Sequence, residues 1–263
     1  MVDFQCKDRY GWEDLLEITR LLRAPGGCPW DREQTHASIR RDLLEESYEV
    51  AEAIDEGSPE HLREELGDLL LQVVFHAVLA QEDGQFDLDA VADGVCKKLI
   101  YRHPHVFGDV TVGSTGEVLK NWEELKKKEK HQASQADAVD AVARSLPALW
   151  RAEKVQKKAA KVGFDWPDVS GALDKVAEET AELKAAMEGD GDPEDEFGDL
   201  LFAAVNVGRF LKLDPEKSLT AATDKFAARF RRVEQAARDQ GKELNDMTLA
   251  EMDALWDQVK KQA

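Results

Sequence analysis

Sulfur is scarce in this chain. Cys6, Cys28 and Cys96 are the only cysteines among 263 residues. They are too few and too scattered for a disulfide framework or a C-x-x-C metal site, which points to a reducing compartment. Met1 to Tyr10 has no apolar h-region, so no signal peptide is expected. The longest apolar stretch, Leu69 to Ala80, is interrupted by Gln72 and His76 and is too short to span a bilayer. No Gly-rich P-loop is present. Positive charge is also short. Against 54 acidic residues stand 35 basic ones, a net charge of −19, which disfavours a general nucleic-acid binder. Aromatics make up 7% and there are 8 prolines. Long β-branched alternating runs are missing, which argues against a sheet. The chain is expected to be soluble and cytoplasmic, with no membrane or nucleic-acid partner.

What the chain does have is helix-forming composition, rich in Ala, Leu, Glu and Lys. At 43% hydrophobic it has enough apolar content for a core, which a disordered acidic tail lacks. Capping and breaking residues predict helices over about 12–23, 38–56, 58–82, 87–103 and 117–130. After a polar connection at 132–142 the pattern resumes over about 147–162, 171–188, 192–212, 214–240 and 248–263. Pro25-Gly26-Gly27, Gly57 and Gly189 act as stops. Thr248-x-x-Glu251 is a capping-box pattern.

The two halves repeat one another. Trp30 answers Trp166, and Leu44-Glu45-Glu46-x-x-Glu49 answers Ala177-Glu178-Glu179-x-x-Glu182. Glu65-Leu66-Gly67-Asp68 answers Glu196-Phe197-Gly198-Asp199. Lys98-x-x-x-Arg102 answers Lys225-x-x-x-Arg229, and Trp122 answers Trp256. The offsets are 136, 133, 131, 127 and 134 residues. Five matches in one order indicate a duplicated helical domain.

The repeated acids have helical spacing. Glu178, Glu179 and Glu182 share one face, and Glu196 and Asp199 share a face of the next helix. A tight connection folds the two helices antiparallel, so the faces can meet. Glu45, Glu46, Glu49, Glu65 and Asp68 do the same in the first half. A Glu-Glu-x-x-Glu helix is ordinarily only a solvated face, but here apolar residues flank Asp68 and Asp199 directly. Like charges at ~4 Å repel by roughly 4 kcal/mol per pair at an effective dielectric near 20. Such a group must protonate, separate or bind a cation. All six histidines and all three cysteines lie in the first half, so the second offers a nearly pure oxygen site. That favours Mg²⁺ or Mn²⁺ over Zn²⁺.

Ten of the 54 acids belong to these two motifs, about half of the acidic excess. Bound cations there would let an acidic protein hold a triphosphate. Lys225 and Arg229, followed by Arg231 and Arg232, are candidate phosphate contacts, as are Lys97, Lys98 and Arg102. The alternative is ordinary salt-bridging on helix surfaces. Trp30, Trp122, Trp166 and Trp256 are candidates for stacking on a base, or for core anchors. His103 and His105, flanking Pro104, are either ligands or part of a capped turn.

Glu-Glu-x-x-Glu followed by Glu-x-x-Asp on consecutive helices resembles the MazG family of nucleoside triphosphate pyrophosphohydrolases. Gly27-Cys28-Pro29-Trp30-Asp31, Arg102-His103-Pro104-His105-Val106-Phe107-Gly108 and Lys225-Phe226-x-x-Arg229-Phe230 are similar to its tandem-domain bacterial form. The likeness runs along nearly the whole chain. It implies an all-α fold of two MazG-like, four-helix-bundle domains, at 1–131 and 144–263, with 132–143 as linker. It also implies a homodimer and Mg²⁺-dependent, broad-specificity hydrolysis of nucleoside triphosphates to monophosphate and pyrophosphate, clearing the nucleotide pool. Carried over by motif, Glu179, Glu182, Glu196 and Asp199 are the metal ligands, and Glu178 is an auxiliary acid or base. Lys175, Lys225, Arg229 and Trp256 contact the nucleotide. The second domain is the expected catalyst. The first-half set is Glu46, Glu49, Glu65 and Asp68, with Glu45, Lys98, Arg102 and Trp122. There His103-Pro104 shortens the basic helix. Two other readings compete: an acidic helical scaffold or regulator, and an all-α hydrolase preferring dUTP or dCTP.

Overall fold

The computed structural model describes residues 4–129 and 134–261, apart from the side chain of residue 127. Every regular element among them is helical, and the chain divides into two compact units, 1–126 and 127–263. The chain is therefore all-α. No described helix is long and apolar enough to cross a membrane.

The first unit contains α1 (Trp12–Arg23), α2 (Pro29–Glu33), α3 (Arg40–Glu56), α4 (Pro59–Glu82), α5 (Leu88–Arg102) and α6 (Pro104–Phe107). Helix α7 (Thr115–Glu129) follows and runs across the division between the units. Gly57 ends α3 with a φ of 69°, a left-handed conformation that costs glycine nothing. Ser58 then accepts a hydrogen bond from the His61 amide at 3.3 Å, and Pro59 supplies the first residue of α4. Two residues thus reverse the chain, and α3 packs along α4. The core side of α4 is Val74, Phe75, Ala77, Val78, Leu79 and Ala80, with Ile39 packed against Phe75 and Leu79. Glu65 and Asp68 lie before that buried run.

The second unit contains α8 (Gln135–Asp140), α9 (Ala148–Ala160), α10 (Val169–Met187), α11 (Pro193–Phe210), α12 (Pro215–Asp239) and α13 (Leu249–Lys261). A short 3₁₀ turn, Leu244–Asp246, precedes α13. Asp-Pro pairs open α11 and α12. Asp192 accepts from the Glu194 amide at 3.0 Å, and Asp214 from the Lys217 amide at 3.0 Å. The Thr248–Glu251 capping box is formed in both directions, at 3.3 and 2.9 Å. Helices α10 and α11 make the most extensive pairing in this unit, and α9 packs on α11. Val233 and Ala237 of α12 meet Leu255 and Val259 of α13, with Met247 and Trp256 alongside.

Several local features differ from expectation. The connection read at 132–142 contains α8, capped by Ser134 and Asp137 in a reciprocal pair at 3.1 and 2.8 Å. Its Ala138 is buried, and Gln135 Nε2 donates to the Lys158 carbonyl on α9 at 2.5 Å. Six residues are too few to show a hydrophobic stripe, so composition alone read as a linker. Residues 130–133, where the linker was expected to begin, lie outside the described ones. Helices α2 and α6 are single turns opened by Pro29 and Pro104, too short for periodicity to register.

Candidate active site

Each unit brings carboxylates from a helical hairpin together. In the second, one oxygen each from Glu179, Glu196 and Asp199 lie within 4.8 Å of one another. Glu179 comes from α10, Glu196 and Asp199 from α11. Glu179 is 3% exposed, while Glu196 is half-buried and Asp199 exposed. Glu178 and Glu182 lie exposed on the same helix as Glu179. Glu182 titrates above the usual carboxylate range: partial desolvation is the largest cause, the adjacent Glu179 the next, and Lys175 opposes both.

Lys175 sits one turn before these acids. Its Nζ lies 2.8 Å from Glu178 Oε1 and 2.5 Å from Glu179 Oε1. Hydrogen bonds to the two carboxylates hold the ammonium well above its ordinary pKa. Glu179 Oε2 is buried with no hydrogen-bond partner. Such an oxygen is costly to desolvate alone. Clustered with two more carboxylates, Glu179 fits a hard divalent cation, which takes oxygen ligands.

In the first unit one oxygen each from Glu46, Glu49 and Glu65 cluster in the same way; Glu49 answers Glu182, which is not in the second unit's cluster, and Asp68, which answers Asp199, is not in this one. Glu46 is pushed up by burial first and then by Asp68 and Glu49. Here the acids have a competitor. His61 Nε2 lies 3.0 Å from Glu65 Oε1, and its Nδ1 lies 2.7 Å from Glu56 Oε2. Glu45 turns outward to Arg41 at 2.7 Å. Asp68 is exposed beside the cluster.

The basic and aromatic candidates lie on other helices. Phe226 packs on Trp256 with centroids 5.2 Å apart, joining α12 to α13. Lys225 and Arg229 form no ion pair among the described residues, and Lys225 is exposed. In the first unit Arg102 is buried and stacks 5.3 Å over Trp122, which Lys126 also covers at 4.7 Å. Lys98 is exposed. Between them, His103 Nδ1 is bonded to the Leu99 carbonyl at 2.6 Å, the capped-turn alternative for that residue.

A neighbouring feature escaped the motif reading. Gln156 of α9 is buried, and its Nε2 donates to the Phe202 carbonyl at 2.8 Å. Arg209 of α11 clamps Asp165 through both guanidinium nitrogens, one at 2.9 Å, and also donates to Asn206 Oδ1 at 2.9 and 2.7 Å. The sequence signal is modest: Asn206 is a lone amide in the run Leu200-Leu201-Phe202-Ala203-Ala204-Val205-Asn206-Val207.

The chain is similar to known proteins along most of its length. Residues 34–107 match the MazG nucleotide pyrophosphohydrolase domain. The chain is 45% identical over 252 residues to the nucleoside triphosphate pyrophosphohydrolase/pyrophosphatase MazG of Thermotoga maritima, covering 95% of each. It is 47% identical over 253 residues to the nucleoside triphosphate pyrophosphohydrolase of Escherichia coli K12, covering 94% of this chain and 96% of that one. It is also 49% identical over 257 residues to the uncharacterized protein YabN of Bacillus subtilis, covering 93% of this chain and 50% of that one. With likeness along nearly the full length of the first two relatives, the chain belongs to the MazG family.

Proposed function

We propose that this protein hydrolyses nucleoside triphosphates to monophosphate and pyrophosphate, with the second of two tandem domains as the main catalyst. The observation behind this is the buried Glu179, one of its oxygens without a partner, clustered with Glu196 and Asp199. The two domains fall at 1–131 and 144–263, and the segment 132–143 between them carries α8, which packs on α9.

Glu179, Glu182, Glu196 and Asp199 would hold Mg²⁺, or Mn²⁺ in its place. A bound cation supplies the positive charge that lets four acids and a triphosphate share one site. Glu178, exposed and ion-paired to Lys175, would take a proton from the attacking water. The new bond joins that water's oxygen to the α-phosphorus, and the bond from there to the pyrophosphate oxygen breaks. Lys225 and Arg229, with Lys175, take up charge on the departing pyrophosphate. Trp256 contacts the nucleoside end.

The first domain is a second candidate site of the same design. Its Glu65 is shared with His61, which competes with a cation and lowers its expected affinity. The working form is a homodimer in the cytoplasm, acting on the nucleotide pool without nucleic-acid or membrane partners. Supporting the dimer, Leu66 and Leu70 on α4 and their counterparts Phe197 and Leu201 on α11 are all exposed in the single chain. Repeated exposed apolar side chains are a usual mark of a buried interface.

The test is product analysis with the eight common NTPs and dNTPs in Mg²⁺. Pyrophosphate with monophosphate is the expected pair. Orthophosphate with diphosphate would refute the reaction, and no product from any of them would favour the scaffold reading.

A further inference from the structure

Two histidines meet in the first unit. His36 lies in the segment 34–39 that leads into α3, and His76 lies on α4. Their Nδ1 atoms are 2.8 Å apart. The ring centroids are 5.1 Å apart, and the planes differ by 3°. That separation is the nitrogen–nitrogen distance plus one ring radius at each end. The rings therefore lie edge to edge in one plane, and each nitrogen points straight at the other. This is the geometry of an N–H···N hydrogen bond that holds one proton. A tetrahedral metal would need the two nitrogen axes to converge at an angle.

The surroundings of the two rings differ. His36 is exposed. His76 is half-buried, and its Nε2 is buried with no hydrogen-bond partner. A neutral pair carries two protons on four nitrogens, and one of them bridges Nδ1 to Nδ1. The other sits on one of the Nε2 atoms. On His36 it belongs to the exposed ring. On His76 it would be a buried N–H with no acceptor, which is rare and costly. So His76 Nδ1–H donates and His36 Nδ1 accepts. While the bridge stands, a third proton has only the buried Nε2 to go to, whichever ring is counted as the cation. A fourth sets two N–H groups head to head. The closed pair is built to stay neutral.

The neighbouring charges are engaged elsewhere or do not reach it. One turn away from His76 on α4 stand Gln72, Val73, Leu79 and Ala80. The segment 34–39 has no other titratable group. On α1, packed against α4, Arg20 is bonded to Gln81 and Arg23 to Glu82. The first turn of α3 carries Arg40, Arg41 and Asp42, and α5 opens with Asp87 and Asp89. Of all these groups only His36 acts on His76: burial first, and then His36, hold it below the ordinary 6.5.

The pair ties the segment 34–39 to α4 beside one other contact, Ile39 packed on Phe75 and Leu79. Helix α3, with Glu46 and Glu49, begins at the next residue. The second unit has no such tie. At the offset of 131 residues set by Glu65 and Glu196, His76 answers Val207, and all six histidines lie in the first half.

We propose that His36 and His76 form an acid-operated latch: when neutral they close the segment 34–39 on α4, and proton uptake parts them and loosens the start of α3, in the first unit alone. The closed pair excludes a proton that the opened rings accept near a pH of about 6.5. Closure is therefore fully present above that value and is lost as pH falls below it. Each proton taken up lowers the closed-to-open ratio by up to about tenfold per pH unit.

Hydrogen exchange at the amides of residues 35–43, in the full chain, reads the latch. From pH 7.5 to 5.5 their protection should fall about tenfold after correction for intrinsic exchange, while that of α11 holds. His76→Phe keeps a ring in place but takes up no proton, and should abolish the fall. Nitrogen-15 spectra of the histidine-labelled wild type give a second readout. At pH 7.5 His76 should carry its proton on Nδ1, coupled across the bridge to His36 Nδ1, and that coupling should vanish together with the protection. His36→Phe, at an exposed position, assigns the signals. A fall that persists in His76→Phe, an equal fall in α11, a His76 protonated on Nε2 at pH 7.5, or a bridge intact at pH 5.5 would each overturn the latch. Should His76→Phe not fold, the wild-type spectra decide.

Discussion

The indole of Trp166 lies on the backbone of Gly171, so closely that a Cβ at that glycine would stand 2.8 Å from the ring. Gly171 is in the first turn of α10, the helix that bears Glu178, Glu179 and Glu182. The aromatic segment ahead of α10 is thereby seated directly on the acidic helix. Gly171→Ala is expected to displace Trp166 and to lower stability by about 1–3 kcal/mol, despite alanine's better helix propensity. A lower Tm with shifted tryptophan emission checks this. An unchanged emission maximum with a raised Tm contradicts it.

Glu179 and Asp199 should respond differently to truncation. Asp199 is exposed, so Asp199→Ala should change stability by no more than about 0.5 kcal/mol. Glu179→Gln replaces a buried carboxylate by a neutral group of the same shape, and should hold the fold without metal at least as well as the wild type. Both should abolish turnover. Both should also abolish the rise in stability expected when Mg²⁺ is added to the wild type, about 2.7 kcal/mol at a hundredfold excess over Kd. Thermal unfolding with and without Mg²⁺ reads this directly.

Glu46→Gln and Asp68→Ala, the matching changes in the first unit, are expected to leave most turnover in place. If they abolish it while Glu179→Gln does not, the catalytic assignment belongs to the other domain.

Asp165 provides a pH prediction. The hydrogen bond from Arg209, opposed by partial burial and helped by the same charge and the Trp166 amide, holds its carboxyl below the ordinary 3.8. A depressed folded pKa adds stability above the unfolded value, and that stability is lost as pH falls through the folded one. Wild type and Asp165→Asn should therefore differ by a constant amount at neutral pH, on the order of 1 kcal/mol after solvent screening. The difference should shrink below about pH 4 as the wild-type carboxylate protonates. Urea unfolding of both proteins across pH 2–7 checks it. A difference that grows in acid would reverse the sign argued here.

Gly198 lies in mid-helix on α11, and a Cβ there would meet nothing within 4 Å in the single chain. Gly198→Ala should stabilise the unit by about 1 kcal/mol on propensity alone. Urea unfolding checks this, and an unchanged or lowered stability contradicts it.

Much of the helical frame was legible because its signals are local. Ser58-Pro59, Asp192-Pro193 and Asp214-Pro215 satisfy free amides at a helix start whatever the rest of the chain does. Gly57 can take a left-handed conformation anywhere. Acids at i, i+3 and i+4 share a face by helix geometry alone, so both acidic sets could be named from spacing. Short elements were harder. Helix α8 rests on Ser134–Asp137 capping and on contacts with α9, and only the capping half is local.

The sequence by itself determined the long helices, the duplication and which carboxylates could meet. Tertiary packing decided what distinguishes the two halves. The Glu46 and Glu179 motifs read alike, yet only Glu179 has an oxygen buried without a partner, and only Glu65 is engaged by a histidine. Likewise nothing in the spacing of Gln156 foretold that α9, α11 and the segment 164–166 would enclose it beside a cavity. Burial arises where several helices close on one point, and side chains far apart in the chain settle it together.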